Sequence, residues 1–190
     1  NSDEYDDFPE GEHYLQLSQT EKDMVDMVCD NFDDVIVIYN GANQFELGFT
    51  DEYPQIKSVV WCPGTGNVGF NALGKVFSGE VNPSGKTPDT FIYDMTTAPW
   101  WNNGEKIEYT NLADMAVEGM NAGSPQVYAP AFTNYVEGIY VGYKYYETAA
   151  QEGFIDYDKT VQYPFGYGLS YTEFEQKMGE LEEKDGQISV

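Results

Sequence analysis

The chain contains no arginine. Its nine basic residues are all lysines, set against 33 carboxylates, for a formal charge of −24 over 190 residues. That balance argues against nucleic acid and against anionic membrane surfaces as partners, because both reward basic patches. It also excludes a bidentate arginine clamp on phosphate or carboxylate. The expected ligands are neutral, cationic, or delivered together with another chain. Histidine is nearly absent. His13 stands alone, and one histidine without a paired serine or cysteine nucleophile makes no triad. The sequence reads it as a surface or interface residue. Cysteine occurs twice, at Cys29 and Cys62, which is too few for a disulfide framework and gives no metal spacing. Both read as buried thiols. No apolar run approaches the roughly 20 residues needed to span a bilayer, and no Asn-x-Ser/Thr sequon or signal peptide is visible.

What is present suits a folded α/β protein. Hydrophobic residues make up 41% of the chain, enough for a real core. Residues 1–13, NSDEYDDFPEGEH, are acidic and irregular. Ser18-Gln19-Thr20-Glu21 forms a capping box ahead of a helix whose apolar stripe is Met24, Val25, Met27 and Val28, running to about Asn31. Val35 to Tyr39 is a β-branched apolar run typical of a buried parallel strand, and Lys57 to Cys62 is a second. Pro63-Gly64-Thr65-Gly66 breaks that strand. A helix is predicted from about Asn67 to Phe77, with Phe70, Leu73, Val76 and Phe77 on one side and Gly79 as its cap. Thr90 to Tyr93 is predicted as a third strand. This rhythm belongs to a sheet covered by helices, in which ligands sit beyond the carboxyl ends of the strands. Those ends are Asn40-Gly41, Pro63 to Gly66 and Asp94.

From 95 to 133 periodicity is lost, although Trp100, Trp101, Asn102 and Asn103 lie there. Residues 134–174 interleave tyrosine with glycine and read as ordered loop, because glycine and β-branched residues weaken helices. In the tail, EEKDGQ reads as a hairpin turn. Ser84-Gly85-Lys86-Thr87 superficially suggests a phosphate loop. Gly79 stands one residue too far upstream, prolines flank the site, and a strand follows where a helix is required. A turn between helix and strand is the better reading. The acidic run at 3–12 lacks the order of a calcium loop. Such runs are usually solvated, but one carboxylate with a raised pKa can act as a general acid.

Five blocks, in order, carry a resemblance: YLQLSQTEKDMVDMV, VIVIYNGAN, VVWCPGTGNVGFNALGKVFSGEVNPSGKTPDTF, NYVEGIYVGYKYYE and YPFGYGLSYTEF. Together they resemble the second domain of glycoside hydrolase family 3, the β-glucosidase and β-xylosidase group. Lys144 stands where that family commonly has arginine. The resemblance implies an α/β sandwich, a mostly parallel five- or six-stranded sheet between helices, incomplete at both ends. It implies residues 1–172 as that domain and 173–190 as the start of a following fibronectin-III-like β domain. It further implies a retaining mechanism in which a (β/α)8 barrel of the same enzyme, absent from this chain, supplies an aspartate nucleophile. This domain then supplies the acid/base carboxylate. The family places that group in a Gly-Glu-Gly-x-Asp type motif. Glu4, with Asp7 three residues on, is the best match, though Asp3 and Tyr5 replace the flanking glycines; Glu10 and Glu12 are rivals. The implied substrate is a β-linked oligosaccharide or aryl glycoside with a terminal β-D-glucosyl residue. No cofactor and no metal are implied. The alternative is a non-catalytic carbohydrate-binding or scaffold domain of the same fold, since fold alone does not confer function.

Overall fold

A computed structural model describes residues 12–101, 111–121, 124–128 and 135–189. The described residues fall into two compact units: one within Asn1–Gly64 and Thr87–Tyr167, the other within Thr65–Lys86 and Gly168–Val190.

The first unit begins with helix α1, Gln19–Asn31. The capping box forms in both directions: Glu21 N donates to Ser18 Oγ at 3.4 Å and Ser18 N to Glu21 Oε2 at 2.9 Å, which satisfies two donors at the helix start. The buried stripe is narrower than the sequence suggested. Cys29 is buried and Val25 and Val28 are half-buried, whereas Met24 and Met27 are exposed. Extended backbone at Phe32 ends the helix. Strand β1, Val35–Tyr39, then pairs in parallel with β2, Ile56–Trp61, with Val37 opposite Val59 and Tyr39 opposite Trp61. The β-branched runs give both strands, parallel as expected, but neither is buried: their residues are half-buried or exposed, Ile36 and Ile38 among the exposed. Between them lie the loop 40–47 and a 3-10 turn at Gly48–Asp51.

Strand β3 is only Phe91–Ile92, and it is antiparallel to β6, Val161–Tyr163. The expected third strand is therefore shorter and runs against its neighbour. The pairing continues in looser form as Thr87 N donates to Tyr167 O at 2.7 Å and Gly166 N to Thr87 O at 2.8 Å. Among the described residues every sheet has two strands, so the five- or six-stranded sheet implied by the resemblance is not seen there. The region without periodicity contains a hairpin, β4 (Val117–Asn121) against β5 (Ser124–Tyr128).

Helix α3, Tyr143–Gln151, corrects the reading of the tyrosine–glycine segment as loop. Gly142 precedes it at φ 63° and Gly153 follows at φ 75°, so the glycines bound the helix and none lies inside it. Tyr146 and Ala149 bury one face, and that burial outweighs the modest propensity of the tyrosines. A short helix α4, Tyr157–Thr160, leads into β6. The core consists of Leu15, Ile92, Met95, Ala98, Tyr146 and Val161, with Trp100, Trp101 and Tyr145 packed against it. Phe45, Leu47 and Phe91 form a second cluster under Tyr39, Val59 and Trp61. Complete burial of a side chain such as Ile92 is worth about 1.5–3 kcal/mol.

The second unit contains helix α2, Phe70–Phe77, three residues shorter at its start than predicted. Gly79, at φ 76°, donates to Val76 O and caps it. Hydrogen bonds join the Asn-Pro-Ser-Gly block to the Gly-Leu-Ser-Tyr-Thr block. Asn82 Oδ1 accepts from Ser170 Oγ at 3.0 Å and Tyr171 N at 2.8 Å, and its Nδ2 donates to Thr172 Oγ1 at 3.0 Å. Lys86 Nζ donates to Gly168 O, so the lysine of the false phosphate loop is spent on the backbone. A Cβ at Gly168 would overlap the carbonyl oxygen of Gly85, which requires glycine there. The tail forms the hairpin β7 (Glu182–Lys184) and β8 (Gln187–Ser189), turned by Asp185 and Gly186, both at positive φ.

Candidate functional site

Of the acidic candidates, Glu4 and Glu10 lie outside the described residues, and Glu12 is exposed where the described chain begins. The next residue is not on the surface. The His13 side chain is only 10% exposed, and its ring meets Trp101 edge-on with centroids 4.8 Å apart. Of the two expected places for it, surface or interface, that shelter corrects the first. Absence of a nucleophile partner excluded a triad but did not make the ring solvent-exposed.

Three chain segments converge on this ring. Leu15 N donates to His13 Nδ1 at 3.2 Å, which makes Nδ1 the acceptor and leaves the proton on Nε2. His13 Nε2 lies 3.3 Å from Glu46 Oε1. The same Glu46 oxygen accepts from Met95 N at 2.6 Å, and Glu46 N donates to Leu15 O at 2.7 Å. The Glu46 side chain is 17% exposed. Burial pushes its carboxyl above the ordinary carboxylate range, and the nearby Asp94 carboxylate adds to the rise. The Met95 amide and His13 oppose it. Asp94 is itself engaged, accepting from Thr96 N at 2.9 Å at the start of a 3-10 turn, Met95–Thr97. Glu46 was missed in the sequence, although one signal was available: a lone charge between Phe45 and Leu47, both buried.

The strand ends hold mostly structural bonds. Asn40 Nδ2 donates to Cys62 O at 2.5 Å and Trp61 Nε1 to Gly41 O at 2.8 Å, closing the loop after β1 over the end of β2. Trp100 and Trp101 pack on the core, and Tyr143 stacks on Phe165 at 4.6 Å. Cys29 is a buried free thiol, its pKa pushed up by burial and by Asp26 and Asp30; Cys62 is free and half-buried. Among the described residues, then, one carboxyl group is both sheltered and perturbed, and a histidine holds it.

One unit has a parallel strand pair and a sheltered carboxyl, and the other has its Asn-Pro-Ser-Gly block bonded to its Gly-Leu-Ser-Tyr-Thr block. Residues 1–143 match the Glycosyl hydrolase family 3 C-terminal domain, and the chain belongs to that family. It is 35% identical over 161 residues to a beta-glucosidase of Ruminococcus albus, covering 84% of this chain and 14% of that protein. It is 36% identical over 169 residues to beta-glucosidase A of Butyrivibrio fibrisolvens, covering 88% of this chain and 17% of that protein. Among solved structures, a beta-glucosidase from Paenibacillus barengoltzii superposes with a TM-score of 0.66 at 28% identity, over 88% of this chain and 15% of the other. The chain thus spans less than a fifth of the length of each of these relatives.

Proposed function

We propose that this chain is the acid/base-bearing domain of a retaining β-glycosidase, β-glucosidase-like, that releases terminal β-D-glucosyl residues. The observation that carries the reading is the family match over 1–143, which begins inside the acidic segment that holds Glu4. In the proposed mechanism Glu4 protonates the departing glycosidic oxygen. A carboxylate of a (β/α)8 barrel in the same protein attacks the anomeric carbon. Water, deprotonated by Glu4, then releases the sugar. Retention of configuration requires the two carboxyl groups about 5–5.5 Å apart, so the site spans two domains.

The same reading covers the architecture. Residues 1–172 form the α/β sandwich and 173–190 begin a β domain. The five- or six-stranded sheet is supported by β1: among the described residues it pairs only with β2, and Ile36 and Ile38 remain exposed. Parallel strands are normally covered on both faces. The tail hairpin supports the second domain, because a lone two-stranded hairpin is marginal in water.

The 190-residue chain on its own is expected to leave an aryl β-glucoside uncleaved, while the full-length protein that carries it with a barrel cleaves the compound. Turnover by the isolated chain would overturn the two-domain mechanism. Binding of sugar without any turnover in the full-length protein would favour the non-catalytic alternative.

A further inference from the structure

We infer that the free edge of β1 receives a parallel strand from a part of the same polypeptide upstream of residue 1, and that side chains of this strand fill the groove between α1 and β1. The inference rests on the proposed reading of the chain as one domain of a longer enzyme. It deepens the sheet in that reading by naming the edge that grows, the direction of the added strand and the segment that supplies it.

The backbone of β1 gives the first argument. Val35 N donates to Gln55 O at 2.8 Å, and Tyr39 O accepts from Cys62 N at 2.9 Å. Val35, Val37 and Tyr39 thus turn their backbone polar groups towards β2, and the residues between them turn theirs the other way. On that other side the N–H and C=O groups of Ile36 and Ile38 meet no strand among the described residues. Both isoleucine side chains are exposed. An apolar edge of this kind is a template for pairing, and parallel strands are normally covered on both faces.

Shape gives the second. A groove of about 400 Å³ within the first unit is lined by Met24, Val25 and Val28 of α1, Val37 of β1, and Phe45 and Leu47 of the loop that follows. Glu21 is the one charged side chain among its described lining residues, and its carboxylate already accepts from Ser18 N. Such a groove selects apolar side chains, which gain by leaving water.

Order along the chain gives the third. Helix α1 enters β1 through Phe32, Asp33 and Asp34. Parallel neighbours need a crossover of a dozen or more residues, usually a helix, and α1 has 13. A strand joined to β1 through α1 therefore lies parallel to β1 with the usual right-handed crossover. Residues 12–18, which lead into α1, form no strand, and the sequence of residues 1–11 is too acidic for an apolar groove. The strand comes from further upstream. There is chain enough to supply it, since this chain covers only 14% and 17% of two relatives. A second copy of this chain is the competing occupant, and the charge of −24 on each copy opposes it.

The experiment uses the full-length protein that carries this chain. Hydrogen exchange at single-residue resolution reads the edge: the Ile36 and Ile38 amides are expected to exchange at least about 100-fold more slowly than unpaired amides. A diazirine analogue of methionine at Met24, an exposed residue of the groove wall, reads the occupant. Photolysis is expected to cross-link it to a residue upstream of residue 1 in the same polypeptide, identified by mass spectrometry. Unprotected Ile36 and Ile38 overturn the inference, and so do cross-links confined to residue 1 onwards or none at all. A cross-link between two polypeptides assigns the edge to a second copy and overturns it as well. Cleavage of an aryl β-glucoside by the same preparation keeps the two readings apart. Turnover with an unpaired edge leaves the proposed function standing without this inference. A paired edge without turnover upholds the inference and counts against the proposed function.

Discussion

The first unit buries Ile92 and Met95 completely, with Leu15 and Tyr146 in the same cluster and Phe91 and Leu47 in a second, whereas helix α2 of the second unit has no buried residue at all. Order in the second unit comes from polar bonds: Asn82 to three partners, Tyr171 OH to Val76 O at 2.9 Å, and Lys86 to the Gly168 carbonyl. Exposed bonds of this kind contribute about 0.5–1.5 kcal/mol each at best. The family-like blocks divide the same way. The parts that fall in the first unit contribute to its core, while those in the second mostly bond to one another; His13 and Glu46 lie outside the blocks. The sheltered, perturbed carboxyl of Glu46 belongs to the well-packed unit, and the second unit is expected to open at lower free energy.

Three changes probe that contrast. Met95→Ala removes a fully buried side chain and is expected to destabilise the first unit by about 2–5 kcal/mol, read by denaturant unfolding. A loss under about 1 kcal/mol would mean that the core relaxes freely and the contrast is weaker than drawn. Asn82→Ala removes three side-chain hydrogen bonds and is expected to lower protection by about 1–2 kcal/mol in hydrogen exchange of residues 70–82 and 168–172. Amides of β1, β2 and α3 should hold their protection. Equal loss in both units would show a single cooperative structure and break the comparison. The smallest effect concerns an exposed bond at the edge of the first unit. Tyr53 OH donates to Asp26 Oδ1 at 2.5 Å, and chiefly this bond pushes the phenol from 10.0 up to about 12. A raised folded-state pKa stabilises the fold fully below about pH 10, and that stabilisation disappears as pH rises through about 12. Asp26→Asn is expected to bring the Tyr53 titration, followed by phenolate absorbance, back towards 10.0. An unchanged midpoint would remove Asp26 as the cause.

Much of the first half of the chain was legible in the sequence because local and tertiary preferences agree there. Ser18 and Glu21 cap α1 through contacts three residues apart, and the β-branched run at 35–39 has few uses other than a strand. The Asp185-Gly186 turn was legible for the same reason. Three features were not. Helix α3 sits among glycines and tyrosines, and only burial of Tyr146 and Ala149 by distant residues makes it worthwhile. The β4–β5 hairpin has no alternation to betray it. The His13–Glu46 pair joins residues far apart in sequence, and composition cannot bring a histidine to a glutamate. The resemblance named the family and nominated Glu4, but it had nothing to say about Glu46.

The most direct test of the central claim uses azide. In the full-length protein, Glu4→Ala should slow release of the sugar from its covalent enzyme intermediate, because water loses its general base. A small anionic nucleophile needs no base and attacks from the face that water would have used. Added azide is therefore expected to restore turnover of a dinitrophenyl β-glucoside and to yield β-glucosyl azide. Wild-type rates on alkyl β-glucosides with no azide adduct would contradict the assignment of the acid/base to this domain's Glu4.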